Sequence, residues 1–372
     1  MNSNKFLSRL FVVLALLAQP SPGRGDSKDS VDILSLFPES EVEAMLLSAR
    51  ASSHLHGESG GPEALTLLQF SDIHGSKVNL ERILRFSRRY DSYIDDLIHT
   101  GDAVYCYWDD ENIFKTVPGA DKILNTVGNH DCWKSHKVWA ESDKPYDATE
   151  KEVYEMLFDG PVSKWGVTES SHSFGCYYYK DYPDSKTRLI TLDCMHFTEG
   201  QDAWLRETLD EALAKGLAVI GVTHYPSSTG LSPVECGFTP PGMELPRESD
   251  TTRVQYESMS EAAFKSVDRF IDKGGNFVCW LSGHTHSDYI GLVKDHERQL
   301  QVIADKAGEM DGYIKEDRTI GTVNQDAFNL VTFNPARGLL VVYRIGCRRG
   351  PDMRSKKLFV YDCTKREVIT SE

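Results

Sequence analysis

The sequence lacks the closely spaced cysteine pairs that mark a metal-binding knuckle or a redox motif. Eight cysteines are spread over 372 residues, and no two of them stand in a CxxC arrangement. This spacing disfavours a zinc knuckle and a thioredoxin-type site. A chain of this length can bury a large core, so it does not depend on disulfides to fold.

Long apolar runs are also missing after the first residues of the chain. Lys5 and Arg9 accompany a short apolar run, 10–18, and small or turn-forming residues follow it as far as residue 23. This pattern predicts a signal peptide over residues 1–23, with a membrane anchor that is never cut as the alternative. No cysteine lies just after the run, which disfavours a lipid anchor of the bacterial lipoprotein kind, and no later segment has the length of a spanning helix. We therefore expect a periplasmic or secreted protein without a stable membrane span.

Positive charge is scarce. The chain has 41 Lys and Arg residues against 56 Asp and Glu residues, which gives a formal net charge of −15. Because such a field repels nucleic acids and anionic membranes, we expect neither as a partner. A small phosphate ester remains compatible with this charge, since bound divalent cations would dominate the field at their own site.

The chain from residue 64 onward alternates between apolar runs of strand length and helical periods. This alternation predicts one α/β domain over residues 64–372, preceded in residues 24–63 by a helix candidate and a linker. Two stretches, 132–172 and 225–255, interrupt the alternation, and each directly follows a candidate site residue. We interpret them as insertions that form a wall or lid over the site, with surface decoration as the alternative.

Polar residues follow five of the apolar runs at the point where each predicted strand ends. They are Asp72, His74, Asp102, Asn129, His130, His224, His284 and His286. Functional groups of α/β folds gather at the C-terminal ends of strands, so we expect these side chains to meet. Carboxylate, imidazole and amide groups together suit Zn, Fe or Mn. No cysteine belongs to the set, which disfavours a structural zinc site.

The motifs that contain these residues resemble those of the calcineurin-like metallophosphoesterases, from about Leu65 to Ile345. They are Asp72-Ile73-His74, Gly101-Asp102, Gly128-Asn129-His130-Asp131, His224 and Gly283-His284-Thr285-His286. The resemblance implies an α/β fold with four layers, an αββα sandwich of two mixed sheets. It also implies a dinuclear metal site at the C-terminal ends of the strands.

The resemblance further implies two metal ions, divalent or of mixed valence, drawn from Fe, Mn and Zn. One ion would be held by Asp72, His74, Asp102 and His286, and the other by Asp102, Asn129, His224 and His284. Asp102 would bridge the pair. His130 is the candidate for protonating the leaving oxygen or stabilising the transition state. Asp131 would orient His130 as a hydrogen-bond acceptor, with a helix cap as the alternative.

Tyr105 stands at the spacing by which purple acid phosphatases supply a tyrosinate to iron. That family usually lacks the histidine of the first motif, whereas His74 is present here. We therefore expect Tyr105 to be a buried or rim tyrosine rather than a metal ligand. Among the other histidines, His99 is predicted to lie in the core, and His136 and His172 lie where they could touch substrate.

These features together predict an exported metal-dependent phosphoesterase. It would hydrolyse a phosphate monoester, diester or anhydride through a metal-bridging hydroxide. The alternative is a catalytically silent protein that binds a phosphate ligand on the same fold. Such relatives typically lack some of the metal ligands, and here none is missing.

Basic residues cluster near the end of the chain. They are Arg344, Arg348, Arg349, Arg354, Lys356 and Lys357. Such a cluster usually lies on a solvated hairpin tip, which is the interpretation we favour here. A docking patch for an anionic partner is the alternative.

Overall fold

The computed structural model describes most of the chain from residue 39 onward. The described residues are 39–50, 63–106, 112–133, 148–227, 231–232, 259–286, 288–308, 325–346 and 358–371. The predicted signal peptide, most of the predicted linker and parts of both predicted insertions lie outside them.

Sheet 1 contains seven strands of the described chain. They are β1 (Leu65–Phe70), β2 (Asp96–His99), β3 (Leu124–Asn125), β12 (Ala327–Asn334), β13 (Leu339–Gly346), β14 (Leu358–Asp362) and β15 (Glu367–Ser371). Their order across the sheet is β15-β14-β13-β12-β1-β2-β3. The strands β1, β2 and β3 are parallel and the other neighbours are antiparallel, so the sheet is mixed.

Sheet 2 contains eight strands of the described chain. They are β4 (Thr168–Glu169), β5 (Tyr178–Tyr182), β6 (Thr187–Thr191), β7 (Ala218–Val222), β8 (Leu231–Ser232), β9 (Asn276–Ser282), β10 (Tyr289–Val293) and β11 (His296–Ile303). Their order is β4-β5-β6-β7-β9-β11-β10-β8. A parallel centre, β6-β7-β9-β11, is flanked by antiparallel edges, so this sheet is mixed as well.

The first α-helix of the described chain precedes β1, and the other six lie between strands in sequence. The seven α-helices are α1 (Glu39–Arg50), α2 (Lys77–Arg89), α3 (Ile113–Thr116), α4 (Asn129–Cys132), α5 (Glu150–Leu157), α6 (Glu199–Ala214) and α7 (Glu261–Asp272). Polar residues begin the longer ones, because a side-chain oxygen satisfies a backbone N–H that has no partner in the first turn. Thr198 accepts from Gln201 N at the start of α6, and Ser260 accepts from Ala262 N at the start of α7.

Two apolar clusters of the described residues fill the spaces between the layers. Side chains of a strand point alternately to its two faces. In β6, Leu189 therefore belongs to the core between the sheets, whereas Ile190 packs against the helices on the outer face of sheet 2. In the same way Phe86 of α2 packs edge-on against Phe328 of β12, on the outer face of sheet 1. The predicted αββα sandwich of two mixed sheets is thus confirmed.

Where the two predicted insertions are described, each contains secondary structure that packs or pairs with the rest of the fold. In the first, α5 and the following turn bury Val153, Leu157 and Trp165 against the main core. In the second, Leu231 and Ser232 pair with β10 and form the edge of sheet 2. The first insertion is therefore partly a component of the core.

Candidate metal centre

The loops that follow β1 and β2 are locked together by their backbones. Asp72 N donates to Gly101 O, and His74 N donates to Asp102 O, both at 3.0 Å. Asp72, His74 and Asp102 all have positive φ angles, between 45° and 61°. Residues other than glycine rarely adopt positive φ angles, because this backbone conformation is costly for them. Such conformations concentrate at functional sites. The two loops hold three predicted ligands in a conformation that local preference alone would not favour.

Glycines allow the loops to approach this closely. A Cβ added at Gly128 would overlap the Asp102 carboxylate, and one added at Gly283 would overlap the Ser71 hydroxyl. The chain on either side of these glycines therefore carries Asn129 and His284 directly against the Asp72 and Asp102 loops.

The first predicted ligand group converges in space. In Asp72, His74, Asp102 and His286, one ligand atom from each residue lies within 4.8 Å of all the others. His286 Nε2 lies 3.2 Å from Asp72 Oδ1 and 3.4 Å from His74 Nε2. His74 Nε2 lies 3.9 Å from Asp102 Oδ2. Two imidazoles and two carboxylates in this arrangement suit a divalent transition metal.

The second predicted group meets the first at Asp102. His224 Nε2 lies 3.4 Å from Asp102 Oδ2 and 3.0 Å from the amide oxygen of Asn129. The rings of His224 and His284 are 5.1 Å apart. His224 Nδ1 faces the carbonyl of Thr100 at 2.8 Å, so this nitrogen carries a proton and the ring is oriented with Nε2 toward the site.

Two buried oxygens support a cation at this place. Asp72 Oδ1 and Asp102 Oδ2 meet no donor in hydrogen-bonding geometry within the described residues. A buried charged oxygen without such a donor is costly unless a cation compensates it. The donor set therefore fits a metal pair, with Asp102 Oδ2 between the two groups.

Charge interactions keep the carboxylates of the cluster ionised. Burial raises the pKa of Asp102, but the charges of His224 and His130 outweigh it and hold this pKa well below its usual range. For Asp72, burial likewise opposes ionisation, and His286 is the main group that lowers the pKa. Burial lowers the pKa of His224, whereas Asp102 raises it, to about 9. A bound cation would replace imidazole protons as the counter-charge.

His130 lies on the rim of the cluster, held from several sides. Its backbone N donates to Asp102 Oδ1 at 2.9 Å, and its Nδ1 faces Tyr105 O at 2.9 Å. Its ring centroid lies 4.5 Å from that of His74, 4.7 Å from Tyr105 and 3.9 Å from Trp133. Since a carbonyl only accepts, Nδ1 carries a proton and Nε2 is the nitrogen left to act on a substrate.

The prediction that Asp131 orients His130 is wrong. The Asp131 carboxylate accepts from the backbone N–H groups of Asp102, Ala103, Val104 and Gly128, at 2.9–3.2 Å. Its bond to Gly128 N caps the short helix α4, which is the alternative offered by the sequence. The carbonyl of Tyr105 orients His130 instead. Asp131 shapes the Asp102 loop.

The remaining predicted residues divide between core and rim. His99 is fully buried and pairs with Asn125 Oδ1 at 2.9 Å, as expected for a core histidine. His172 is exposed and pairs with Glu150 at 3.0 Å. Tyr105 packs against His74 with ring centroids 5.3 Å apart. His136 lies outside the described residues.

The prediction of a solvated hairpin tip is wrong for Arg344. Its side chain is 4% exposed and lies 2.5 Å from Asp288, which precedes β10. The other basic residues of that cluster lie outside the described chain. The available signal was a single arginine, at the sixth position of the otherwise apolar strand β13, where burial requires a partner.

Of the comparisons with known proteins, the one with family models identifies the family of this chain. The family model of calcineurin-like phosphoesterases matches residues 65–288, more than half of the chain. No curated protein sequence matches significantly. Similar solved structures include a dimetal phosphatase from Danio rerio, with 11% identity, a TM-score of 0.45 and coverage of 78% of this chain and 99% of that one. The phosphoesterase Yfce from E. coli has 11% identity, a TM-score of 0.28 and coverage of 83% and 98%.

The described residues include no helix with the length and apolar character needed to cross a membrane.

The match to the family model extends from β1 to the loop after β9, so it contains every predicted ligand. The chain is a member of the calcineurin-like phosphoesterase family, and hence a metal-dependent hydrolase of phosphate esters.

Proposed function

We propose that this chain hydrolyses a small phosphate ester at a two-metal centre bridged by Asp102. The observation that carries the proposal is the position of Asp102 Oδ2. It faces His74 Nε2 at 3.9 Å on one side and His224 Nε2 at 3.4 Å on the other. Each of these histidines belongs to a separate group of ligand atoms. Fe, Mn and Zn are the ions that suit this mixture of carboxylate, imidazole and amide oxygen.

The chemistry that a metal pair would supply here is polarisation of the phosphoryl oxygens and activation of the attacking water. The residues of the chain keep the pair in place and control protons around it. Thr100 O fixes the His224 ring, so that Nε2 faces Asp102. The His284 N–H donates to Asp72 Oδ2 at 3.0 Å and so ties the loop after β9 to the loop after β1.

His130 is the residue that we assign to the leaving oxygen. Its Nδ1 donates to Tyr105 O, so the imidazolium form carries its second proton on Nε2. This proton would pass to the leaving oxygen as the ester bond breaks, and the neutral ring would keep the proton on Nδ1. The ring packs between Tyr105 and Trp133, which restricts its rotation. The presence of this residue and of the whole ligand set argues against the silent binding protein.

Export and a small substrate belong to the same proposal. The signal-peptide pattern over residues 1–23 supports export, and the net charge of −15 disfavours a long polyanionic substrate. Expression of the full chain in a secreting host, followed by mass determination, tests export. Secreted protein beginning after residue 23 would support it, and intact chain retained in the cells would contradict it.

Substitution of Asp102 tests the assigned bridge. The Asp102→Asn variant should fold, and its turnover of aryl phosphate monoesters and diesters should fall at least about 10³-fold, because two ions would share this carboxylate. Turnover is measured with Mn, Zn or Fe supplied in excess. Asp210→Asn, at an exposed side chain paired with Lys273, is the matched control and should leave turnover unchanged. A fully active Asp102→Asn protein would refute the assignment.

A further inference from the structure

Three polar side chains cross the inner face of sheet 1, where the other strand residues of the two facing sheets are largely apolar. Gln69 of β1 is the direct neighbour of Asn329 in β12, and Asn329 is the direct neighbour of Arg344 in β13. All three side chains are buried. Arg344 Nη1 donates to Asn329 Oδ1 at 3.0 Å, and Asn329 Nδ2 donates to Gln69 Oε1 at 3.1 Å. We name these three residues the polar ladder.

The polar ladder reaches sheet 2 at two points. Gln69 Nε2 donates to Ser282 O at 3.1 Å, and Ser282 is the last residue of β9. At the other end of the ladder, Arg344 Nη2 lies 2.5 Å from Asp288 Oδ1 and 3.9 Å from Asp305 Oδ2. Asp288 also accepts from Asp305 N at 3.2 Å.

These two contact points bracket one loop. Residues 283–286, which we name the histidine loop, follow Ser282, precede Asp288 in the chain and carry His284 and His286. The loop has little freedom on its inner side, because a Cβ at Gly283 would overlap Ser71, the residue before Asp72. Small shifts of the loop would therefore move both imidazoles relative to the carboxylates of sheet 1.

Stability alone does not account for this network. Burying an arginine and an aspartate costs desolvation energy that their attraction often only balances, and apolar residues of similar volume can serve a fold equally well. Hydrogen-bonded partners behind a metal site, in contrast, fix the orientation of its ligands. The ladder connects the two sheets beside the point where each one contributes ligands.

We propose that Arg344 is a positioning residue, which holds the histidine loop in register with the Asp72 loop and so sets the affinity of the centre for metal. Arg344 acts through Asp288 beyond the far end of the loop and through the ladder at the near end. The inference rests on the two-metal centre proposed above.

Two variants separate positioning from simple stabilisation. Arg344→Met removes the cation and leaves the Asp288 carboxylate buried without it, so this variant should be less stable and bind metal less tightly. Arg344→Met combined with Asp288→Asn removes both charges, while the amide oxygen at position 288 can still accept from Asp305 N. The double variant should therefore unfold at a higher urea concentration than Arg344→Met alone, since only the more distant Asp305 carboxylate keeps its charge, and should still bind metal weakly.

Arg188→Met is the matched control. Arg188 is fully buried and pairs with Asp181 at 2.6 Å and with Glu211 at 2.8 Å. It lies near the beginning of β6, whereas the metal ligands follow the ends of their strands. This variant should lower the urea midpoint and leave metal affinity unchanged.

The experiment measures Mn²⁺ binding to metal-depleted protein by equilibrium dialysis, together with urea unfolding of the same samples. We expect both Arg344 variants to lose about 10–100-fold in Mn²⁺ affinity, the usual effect of removing a residue that orients ligands. Recovery of affinity along with stability in the double variant would overturn the inference, as would affinity that follows the urea midpoint in all variants including Arg188→Met. Wild-type protein that binds no Mn²⁺ would instead overturn the metal centre itself.

Discussion

Asp102 makes a different contact with each carboxylate oxygen. Oδ1 accepts the backbone N–H of His130 at 2.9 Å, and Oδ2 faces His74 and His224. Its own backbone N donates to Asp131 at 3.0 Å, which stabilises a φ of 61°. A single side chain thus connects both ligand groups with the residue that we assign to the leaving oxygen.

The role of His130 can be tested separately from metal binding. His130→Gln should retain two metals per chain and lose about 10²–10⁴-fold in kcat, the usual contribution of a general acid. The loss should be larger for an alkyl phosphate than for 4-nitrophenyl phosphate, because a good leaving group needs little protonation. Kinetics with both substrates, with metal analysis of each sample, measure this difference.

His296→Gln is the control for that comparison, since His296 lies at the start of β11 and belongs to neither ligand group. Equal losses for the two substrates would contradict a proton donor at residue 130. Loss of metal from His130→Gln would place the residue among the ligands instead.

At the scale of elements, an ion-pair cluster holds helix α7 to strand β11. His296 Nδ1 lies 2.5 Å from Asp268 Oδ2, and its Nε2 lies 3.2 Å from Glu261 Oε1. Arg298 and Gln299 also reach Asp268, at 3.5 and 3.0 Å. Burial lowers the pKa of His296, but the two carboxylates outweigh it and raise this pKa above the ordinary value.

A raised histidine pKa stabilises the fold at low pH. The contribution is complete below the pKa of the unfolded chain, about 6.5, and is lost as pH rises through the higher pKa of the folded protein. The free energy of unfolding of wild type minus that of His296→Gln should therefore be largest near pH 6 and shrink toward pH 9. Urea unfolding across this range measures it. A difference that grows with pH would contradict the assigned pairing.

The strands that could be predicted are those with continuous apolar runs. In the sequence, largely apolar runs at 65–70 and 339–345 coincide with β1 and β13 to within one residue. Strand β5, Tyr178–Tyr182, was not predicted, because its polar residues find partners that no local pattern shows. Asp96 of β2 accepts from both Lys180 and Tyr182 of this strand, at 2.7 and 2.6 Å.

The site residues were predictable to the extent that short motifs carry them. Each predicted ligand follows an apolar run closely, so its place at a strand end could be inferred from the chain alone. The partners of Asp131 could not, because its four backbone donors come from the Asp102 loop as well as from Gly128. Arg344 was misassigned because its partner Asp288 lies next to the other sheet, directly before β10, and no local pattern shows this contact.

At the scale of the whole molecule, the centre lies where two sheets meet. Asp72, His74, Asp102 and Asn129 follow strands of sheet 1, whereas His224, His284 and His286 follow strands of sheet 2. Each proposed metal takes ligands from both sheets. The packing of the sandwich therefore determines the geometry of the site, and the bound pair would in turn hold the sheets together.

Anomalous diffraction from crystals grown with Mn²⁺ tests this account most directly. We expect two anomalous peaks per chain, roughly 3.5–4 Å apart, with the Asp102 carboxylate between them. The first should contact Asp72, His74 and His286, and the second should contact Asn129, His224 and His284. A single peak, or two peaks that do not share Asp102, would contradict the two-metal centre proposed here.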